Sequence, residues 1–112
     1  MVASDLLQWN NDPAITNPDK YKVIFENDRV RVFECKDKPG DRTTLHHHPD
    51  TFTFTLSDFD RKLYVNGSEK IVNKKAYEAG WQPEQDHIGE NIGGTDTHTI
   101  LVELKEPLPD KR

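Results

Sequence analysis

Three consecutive histidines, His46, His47 and His48, are the part of this sequence best suited to chemistry. They follow a turn at Pro39-Gly40 and precede Pro49, an order that predicts a short β-strand ended by the proline. Side chains alternate between the faces of a strand, so His46 and His48 share one face, while His47 points to the surface or to an interface. Two imidazoles on one face can bind one metal ion.

A third metal ligand is expected from a distant part of the chain. His87, within the segment Gln85–Asn91, is the best candidate, because imidazole is a common ligand of divalent transition metals. We therefore predict a metal site formed by His46, His48 and His87. Three protein ligands leave coordination positions open for water, substrate or oxygen, which is typical of a catalytic rather than a structural site.

Two further polar residues are candidates for a role beside these ligands. Asn91 lies on the same strand face as His87, where it either stabilises a turn or contacts a substrate. His98 either projects into the interior as a proton-transfer group or is a hydrogen-bonded core histidine. Its inward direction is expected because it shares strand parity with apolar residues, namely Ile100, Val102 and Leu104.

The composition limits the partners of the chain. Its 112 residues make one domain, and its net charge of -5 and pI of about 5.5 argue against nucleic acid and anionic membranes as partners. The single cysteine, Cys35, allows no intrachain disulfide. The first residues lack the basic start and the apolar run of a signal peptide or membrane span, so we expect a cytoplasmic protein.

The apolar core is expected to be thin, because only 33% of the residues are hydrophobic. A bound metal or an oligomer partner would then contribute to stability. Residues 1–20 form a polar arm in which Ser4 is expected to cap a short helical turn, and Pro13 and Pro18 to mark turns. The arm also carries apolar side chains that can reach a neighbouring subunit, namely Leu6, Leu7 and Trp9. We therefore predict a homodimer.

The rest of the chain predicts nine or ten short strands with almost no helical periodicity. The turns at Asn27-Asp28 and Asn66-Gly67 predict two hairpins. Residues 51–56 alternate strictly, so one face of this strand should be buried, with side chains in the core or in the wall of a pocket: Phe52, Phe54 and Leu56, joined by Trp81. Further short strands are expected at residues 76–78, 81–82 and 98–104. This pattern is typical of an antiparallel sandwich or barrel.

Two segments resemble the motifs of the cupin family. Residues 40–48 fit the first half of cupin motif 1, a glycine followed after five residues by His-X-His, and residues 87–91 fit the His-X-X-X-Asn end of motif 2. The resemblance implies an all-β antiparallel jelly roll, the double-stranded β-helix barrel, over residues 21–106, with a tail at 107–112. The small single-domain cupins of the β-alanine-degradation group look especially similar, and acetylacetone-cleaving dioxygenases more distantly so.

The glutamate ligand that cupin motif 1 normally supplies is missing. Phe52 and Thr53 stand where it is usual. Asp50 has the strand parity of the two histidines and could replace the lost carboxylate, although Pro49 is expected to break the strand first. Motif 2 keeps its histidine and asparagine but lacks its usual glycines and proline, at Ala76, Glu84 and Gln82.

A divalent ion held by three neutral imidazoles keeps its full charge and therefore favours an anionic ligand with oxygen donors. Fe(II) is the favoured metal, since the acetylacetone-cleaving relatives imply a dioxygenase acting on a small dicarbonyl or organic acid. With Zn(II) the bound water would be acidified to a pKa of about 7, which gives hydrolytic chemistry. Mn(II) and Ni(II) are further alternatives. The other interpretation is a non-catalytic metal- or ligand-binding cupin, an accessory or sensor protein in catabolism.

Overall fold

The structure is a computed structural model that describes residues 11–105. This part of the chain contains one short helix, α1, and nine strands. Their bounds in chain order are α1 Pro13–Thr16, β1 Tyr21–Glu26, β2 Val30–Asp37, β3 His46–His48, β4 Thr51–Thr55, β5 Phe59–Val65, β6 Ser68–Lys74, β7 Ala79–Gln82, β8 Gln85–Asn91 and β9 Thr97–Leu104. The predicted helical turn after Ser4 and the apolar arm residues lie outside the described residues. Within residues 11–105, no helix has the length and apolar character needed to cross a membrane.

The strands form two antiparallel sheets that face each other. One sheet has the order β1-β2-β9-β4-β7 and the other has the order β3-β8-β5-β6. Neighbours in a sheet are often distant in sequence, as where β9 lies between β2 and β4. The predicted all-β antiparallel jelly roll is confirmed.

Both hairpins predicted from turn residues are present. Asn27-Asp28 connects β1 to β2, and Asn66-Gly67 connects β5 to β6. Asn66 and Gly67 both have positive φ angles, 52° and 79°, as the tight turn of a two-residue hairpin requires. The expected short strand at residues 76–78 is wrong, because Tyr77 also has a positive φ, of 68°, and these residues turn the chain into β7.

Strands β4 and β9 turn the opposite faces inward from those expected. On β4, Thr51 and Thr55 are buried, whereas Phe52 is 39% exposed. On β9, the buried residues alternate from Thr97 to Glu103, so His98 lies on the outer face. Most of the space between the sheets is a polar cavity. The face of each strand that carries threonine hydroxyl groups therefore points inward.

The apolar core is thin, in agreement with the composition. It consists of a few residues at the centre of the larger sheet, namely Tyr21, Phe33, Cys35 and Leu101. The remaining interior positions are largely polar, and among the buried polar residues are Thr43, Thr51, Thr55, Thr97, Thr99, Asn91 and Glu103. This fold therefore leaves an inner space lined with hydrogen-bonding groups between its sheets.

Candidate metal centre

The three predicted ligands lie together on the inner face of the smaller sheet. His46 on β3 is directly opposite His87 on β8, and residues paired in this way point to the same face. His48 follows two residues later, so it also points inward, and all three side chains are buried. Their ring centroids are 4.7 to 4.9 Å apart. The potential ligand nitrogens lie within 4.8 Å of one another.

Strand β3 is an edge strand that the N-terminal segment holds in place. The carbonyl oxygen of Asn11 accepts a hydrogen bond from the backbone N–H of His47 at 2.7 Å. Just before the strand, the side chain of Asn17 accepts from the backbone N–H of Thr44 at 3.1 Å. These contacts satisfy backbone groups that an edge strand would otherwise expose. They therefore fix the strand that carries His46 and His48.

Hydrogen bonds at the far side of each ring fix the tautomers of the three histidines. The Nδ1–H of His46 donates to the carbonyl oxygen of Thr44 at 2.8 Å, and a carbonyl oxygen can only accept. His48 Nδ1 donates to the carboxylate of Glu103 at 2.8 Å, and His87 Nδ1 donates to the side-chain oxygen of Gln85 at 2.8 Å. In the neutral form of each ring, Nε2 therefore carries no proton and presents its lone pair.

The donor set fits a divalent transition metal. Metal–imidazole bonds of about 2.0 to 2.1 Å place neighbouring ligand nitrogens about 3 Å apart, so small side-chain rotations would bring the three nitrogens onto one ion. Burial, and after it the nearby His48, lower the pKa of His46 to about 4 and that of His87 to about 2. The two rings are therefore neutral at physiological pH, as metal binding requires.

A chain of charged groups supports His48 from behind. Glu103 is almost fully buried and accepts from both His48 and Arg31, with the Arg31 Nη2 at 2.9 Å. Arg31 also forms two hydrogen bonds with Asp12, of 2.7 and 3.0 Å. Asp12 in turn accepts from the backbone N–H of Ala14 and so caps α1. The Glu103 carboxylate, held in place by Arg31, orients the His48 ring and raises the basicity of its other nitrogen.

Tyr21 brings a hydroxyl group to the same place. Its Oη lies 3.3 Å from Nε2 of His46, and Tyr21 is buried. Burial raises the pKa of the Tyr21 hydroxyl, so the group keeps its proton. Because His46 Nε2 carries no proton, the hydroxyl is the donor in this contact. Tyr21 can therefore donate a hydrogen bond beside the three histidines.

A cavity of about 610 Å³ extends from the histidines between the two sheets. Its lining includes His48, His87 and Tyr21, together with Arg61 from β5. The expected aromatic wall is only partly present, because Phe52 is not among the lining residues and Trp81, which does line the cavity, is 51% exposed. The cavity is large enough for a small organic ligand beside the histidines.

The other predicted positions have different surroundings from those expected. The inward direction of His98 is wrong, since its Nε2 lies 2.8 Å from the Glu34 carboxylate on the outer face. Asn91 stabilises a turn, where its amide donates to the carbonyl oxygen of Thr95. Asp50 does not replace the lost carboxylate but accepts from the backbone N–H of Glu84. As expected, His47 points away, and its ring nitrogens contact two acidic residues near the surface, Asp86 and Glu84.

Sequence analysis did not find Glu103, Arg31 or Arg61. Arg31 and Glu103 each lie on a strand between apolar neighbours, a pattern that leaves open which face points inward. For these two residues, a charged residue within an otherwise apolar stretch was the available signal. Arg61 lies between Asp60 and Lys62, and neither a motif nor its neighbours mark it.

Comparison with solved structures identifies the fold as that of the cupins. A cupin domain from Bordetella pertussis Tohama I matches with a TM-score of 0.71 and 23% identity, covering 77% of this chain and 92% of that one. A predicted oxalate decarboxylase from Thermotoga maritima matches with a TM-score of 0.54 and 20% identity, over 75% and 78% of the two chains. The polyketide cyclase RemF from Streptomyces resistomycificus matches with a TM-score of 0.57 and 20% identity, over 80% and 66%.

These likenesses establish the fold and leave the activity open. No protein-family model matches the sequence, and no curated protein matches it. Fold and site together define a cupin-fold protein with a buried cluster of three histidines.

Proposed function

We propose that this protein is a metal-dependent dioxygenase that uses Fe(II), held by His46, His48 and His87, to act on a small dicarbonyl or organic acid. The observation that carries the proposal is the common orientation of the three rings, each with its Nδ1 hydrogen-bonded and its Nε2 facing the shared point. Buried histidines that only stabilise a fold have no need to direct three lone pairs to one place. The choice of reaction is supported by the neutral ligand set, because three imidazoles would leave the charge of the ion available to an anionic substrate and coordination positions open for oxygen.

Bound Fe(II) would supply the redox chemistry with oxygen, and the residues of the chain would prepare the substrate for it. The three histidines are buried, and the lower dielectric constant of the protein interior strengthens electrostatic attraction to an anion there. Tyr21 can donate a hydrogen bond to an oxygen of the bound substrate, once a metal replaces its present contact with His46. Glu103 holds the His48 ring in the productive orientation.

The test of the metal site is elemental analysis of single alanine variants. Metal content should collapse in His46→Ala, His48→Ala and His87→Ala, because two imidazoles do not retain the ion. His47→Ala is the matched control, since this neighbouring histidine faces away from the site, and it should keep the wild-type content. Near-normal metal content in His87→Ala would contradict the proposed ligand set.

The test of the reaction uses protein loaded with Fe(II) in the absence of oxygen. Addition of a small β-dicarbonyl or 3-oxo acid should produce a charge-transfer absorption band, and subsequent exposure to air should consume oxygen faster than the same concentration of free Fe(II). Both signals should be lost in His48→Ala. If the band appears but oxygen uptake does not exceed that of free Fe(II), the dioxygenase proposal fails, and a non-catalytic ligand-binding function takes its place.

A further inference from the structure

The lining of the cavity is richer in basic than in acidic residues, although the whole chain has a net charge of -5. Its one acidic residue is Asp37, and its basic residues are Lys20, Lys36, Arg61, Lys70 and Lys74. Three of the lysines pair with acidic residues outside the lining, Lys20 with Asp19, Lys36 with Glu34 and Lys74 with Glu78, so Arg61 is the main source of positive charge inside. A concave site lined by one sign of charge concentrates ligands of the other sign. The cavity is therefore suited to an anion.

Arg61 is the basic residue placed deepest in this lining. Its side chain is 12% exposed, and its Nη1 binds Asp37 at 2.5 Å and Thr97 at 3.1 Å. Within the described residues, both hydrogen bonds of the guanidinium use Nη1, so Nη2 and Nε have donors to spare. A guanidinium matches a carboxylate through two parallel hydrogen bonds. Asp37 fixes one edge of the group and leaves the other for a ligand.

Gly89 positions the free edge of this guanidinium next to the histidines. A Cβ atom at Gly89 would collide with Nη2 of Arg61, so the arginine passes directly over the glycine backbone. Gly89 follows His87 by two residues on the same face of β8, a separation of about 7 Å along a strand. The free donors of Arg61 therefore lie about one small molecule's length from the metal ligands.

The neighbouring wall supplies another donor without a partner. The amide nitrogen of Gln82, which lines the cavity, is buried and has no hydrogen-bond acceptor among residues 11–105. An unpaired buried donor is unfavourable, and an oxygen of a bound ligand would supply the missing acceptor. The amide thus points to a ligand with more oxygen atoms than the metal alone would bind.

We infer that Arg61 is a specificity-determining residue that binds a carboxylate at one end of the substrate while a pair of oxygens at the other end chelates the metal. The substrate class is therefore a small oxo acid that carries a second, distal anionic group. This inference rests on the proposed function, because the metal anchors the other end of the ligand. It adds a requirement that a simple neutral dicarbonyl would not meet.

The test compares two ligands that differ only in the distal charge. Succinylacetone carries a β-dicarbonyl group and a distal carboxylate, whereas its methyl ester carries the same chelating group without that charge. Calorimetry on the Zn(II)-loaded protein measures both affinities without oxygen chemistry. The wild type should bind succinylacetone about 10 to 100 times more tightly than the ester, as a charged hydrogen-bonded pair predicts. The preference should disappear in Arg61→Gln.

Two additional variants separate recognition from folding. Lys62→Gln removes the same charge from the adjacent position of β5, where the side chain contacts Glu69 at 3.5 Å, and it should keep the preference. Gly89→Ala retains both Arg61 and Asp37 in the sequence, but its Cβ would push the guanidinium of Arg61 away from the glycine, so the preference should fall even if Arg61→Gln proves unstable. Neither variant should alter Zn(II) affinity.

The outcomes distinguish this inference from the proposed function. If the wild type binds Zn(II) through its histidines but binds the two ligands equally, the role of Arg61 is wrong and the metal site remains. The role of Arg61 is also wrong if Gly89→Ala and a folded Arg61→Gln both keep the preference. If the wild type binds no Zn(II), the proposed metal site fails, and the inference fails with it.

Discussion

Replacing Glu103 by glutamine should weaken metal binding although Glu103 is not a metal ligand. The carboxylate accepts hydrogen bonds from His48 on one oxygen and from Arg31 on the other. A glutamine side chain has one acceptor oxygen and one donor nitrogen, so it can satisfy only one of the two. If its nitrogen faces His48, that ring must move its proton to Nε2 and loses the lone pair that binds metal. If its nitrogen faces Arg31, two donors oppose each other.

The expected magnitude follows from the role of such supporting groups. Loss of a partner that orients a ligating histidine typically lowers metal affinity about 10- to 100-fold, or about 1.4 to 2.7 kcal/mol. Burial places Glu103→Gln toward the upper part of this range, because Glu103 is 2% exposed and water cannot replace the missing contact. The measurement is competition for Zn(II) between the protein and a fluorescent chelator at constant pH, with circular dichroism as the check on folding.

The outer face of the larger sheet offers a matched control. Glu34 also accepts a hydrogen bond from a histidine, at 2.8 Å from Nε2 of His98, but both groups lie away from the cavity. Glu34→Gln therefore makes the same chemical change to a similar pair and should leave Zn(II) affinity unchanged. A folded Glu103→Gln protein that binds Zn(II) within about twofold of wild type would refute the argument that this carboxylate fixes the tautomer of His48.

Two further predictions concern pH and association. Because His46 and His87 have pKa values lowered to about 4 and about 2 in the folded metal-free protein, the unfolded chain binds more protons below its ordinary histidine pKa of 6.5. The free energy of unfolding, measured in urea, should therefore fall as the pH decreases from 6.5 to 4. The expected slope is about 1.4 kcal/mol per pH unit for each of these histidines. A flat profile would contradict their burial as neutral rings. Light scattering should show a homodimer, because Phe52 and Trp81 are paired neighbours on the larger sheet, 39% and 51% exposed, and together form an apolar patch that a second copy would cover. Phe52→Lys combined with Trp81→Lys should convert the dimer to a monomer, whereas Ile71→Lys on the smaller sheet should not. A monomeric wild-type chain would exclude this interface.

The sequence was sufficient to predict the fold and the histidine cluster. The histidines occupy motif positions, and their strand parity settles which of the three consecutive rings points away. The turn at Asn66-Gly67 likewise specifies its hairpin through local backbone preference. These features depend on residues that are close in sequence or on a pattern that recurs among related folds.

The faces of β4 and β9 could not be predicted in the same way. On β9 the apolar residues Ile100 and Leu101 are adjacent and lie on opposite faces, so hydrophobic alternation does not choose between them. On β4 the phenylalanines were expected inside, but Phe52 pairs across the outer face with Trp81 and Val102. Which face of a strand points inward depends on the side chains of the opposite sheet. Those contacts join residues that are distant in sequence, so local alternation does not reveal them.

The position of Glu103 explains how the site can lack the usual glutamate ligand and still contain a carboxylate. As a hydrogen-bond partner of His48, Glu103 strengthens one ligand without occupying a coordination position. A divalent metal held by these three histidines would therefore keep positions open for substrate and oxygen. The negative charge of Glu103 is also balanced by Arg31, and that of Asp37 by Arg61. The charge of the metal would therefore remain available to an anionic substrate, which is why the proposed chemistry favours a ligand that brings its own negative charge.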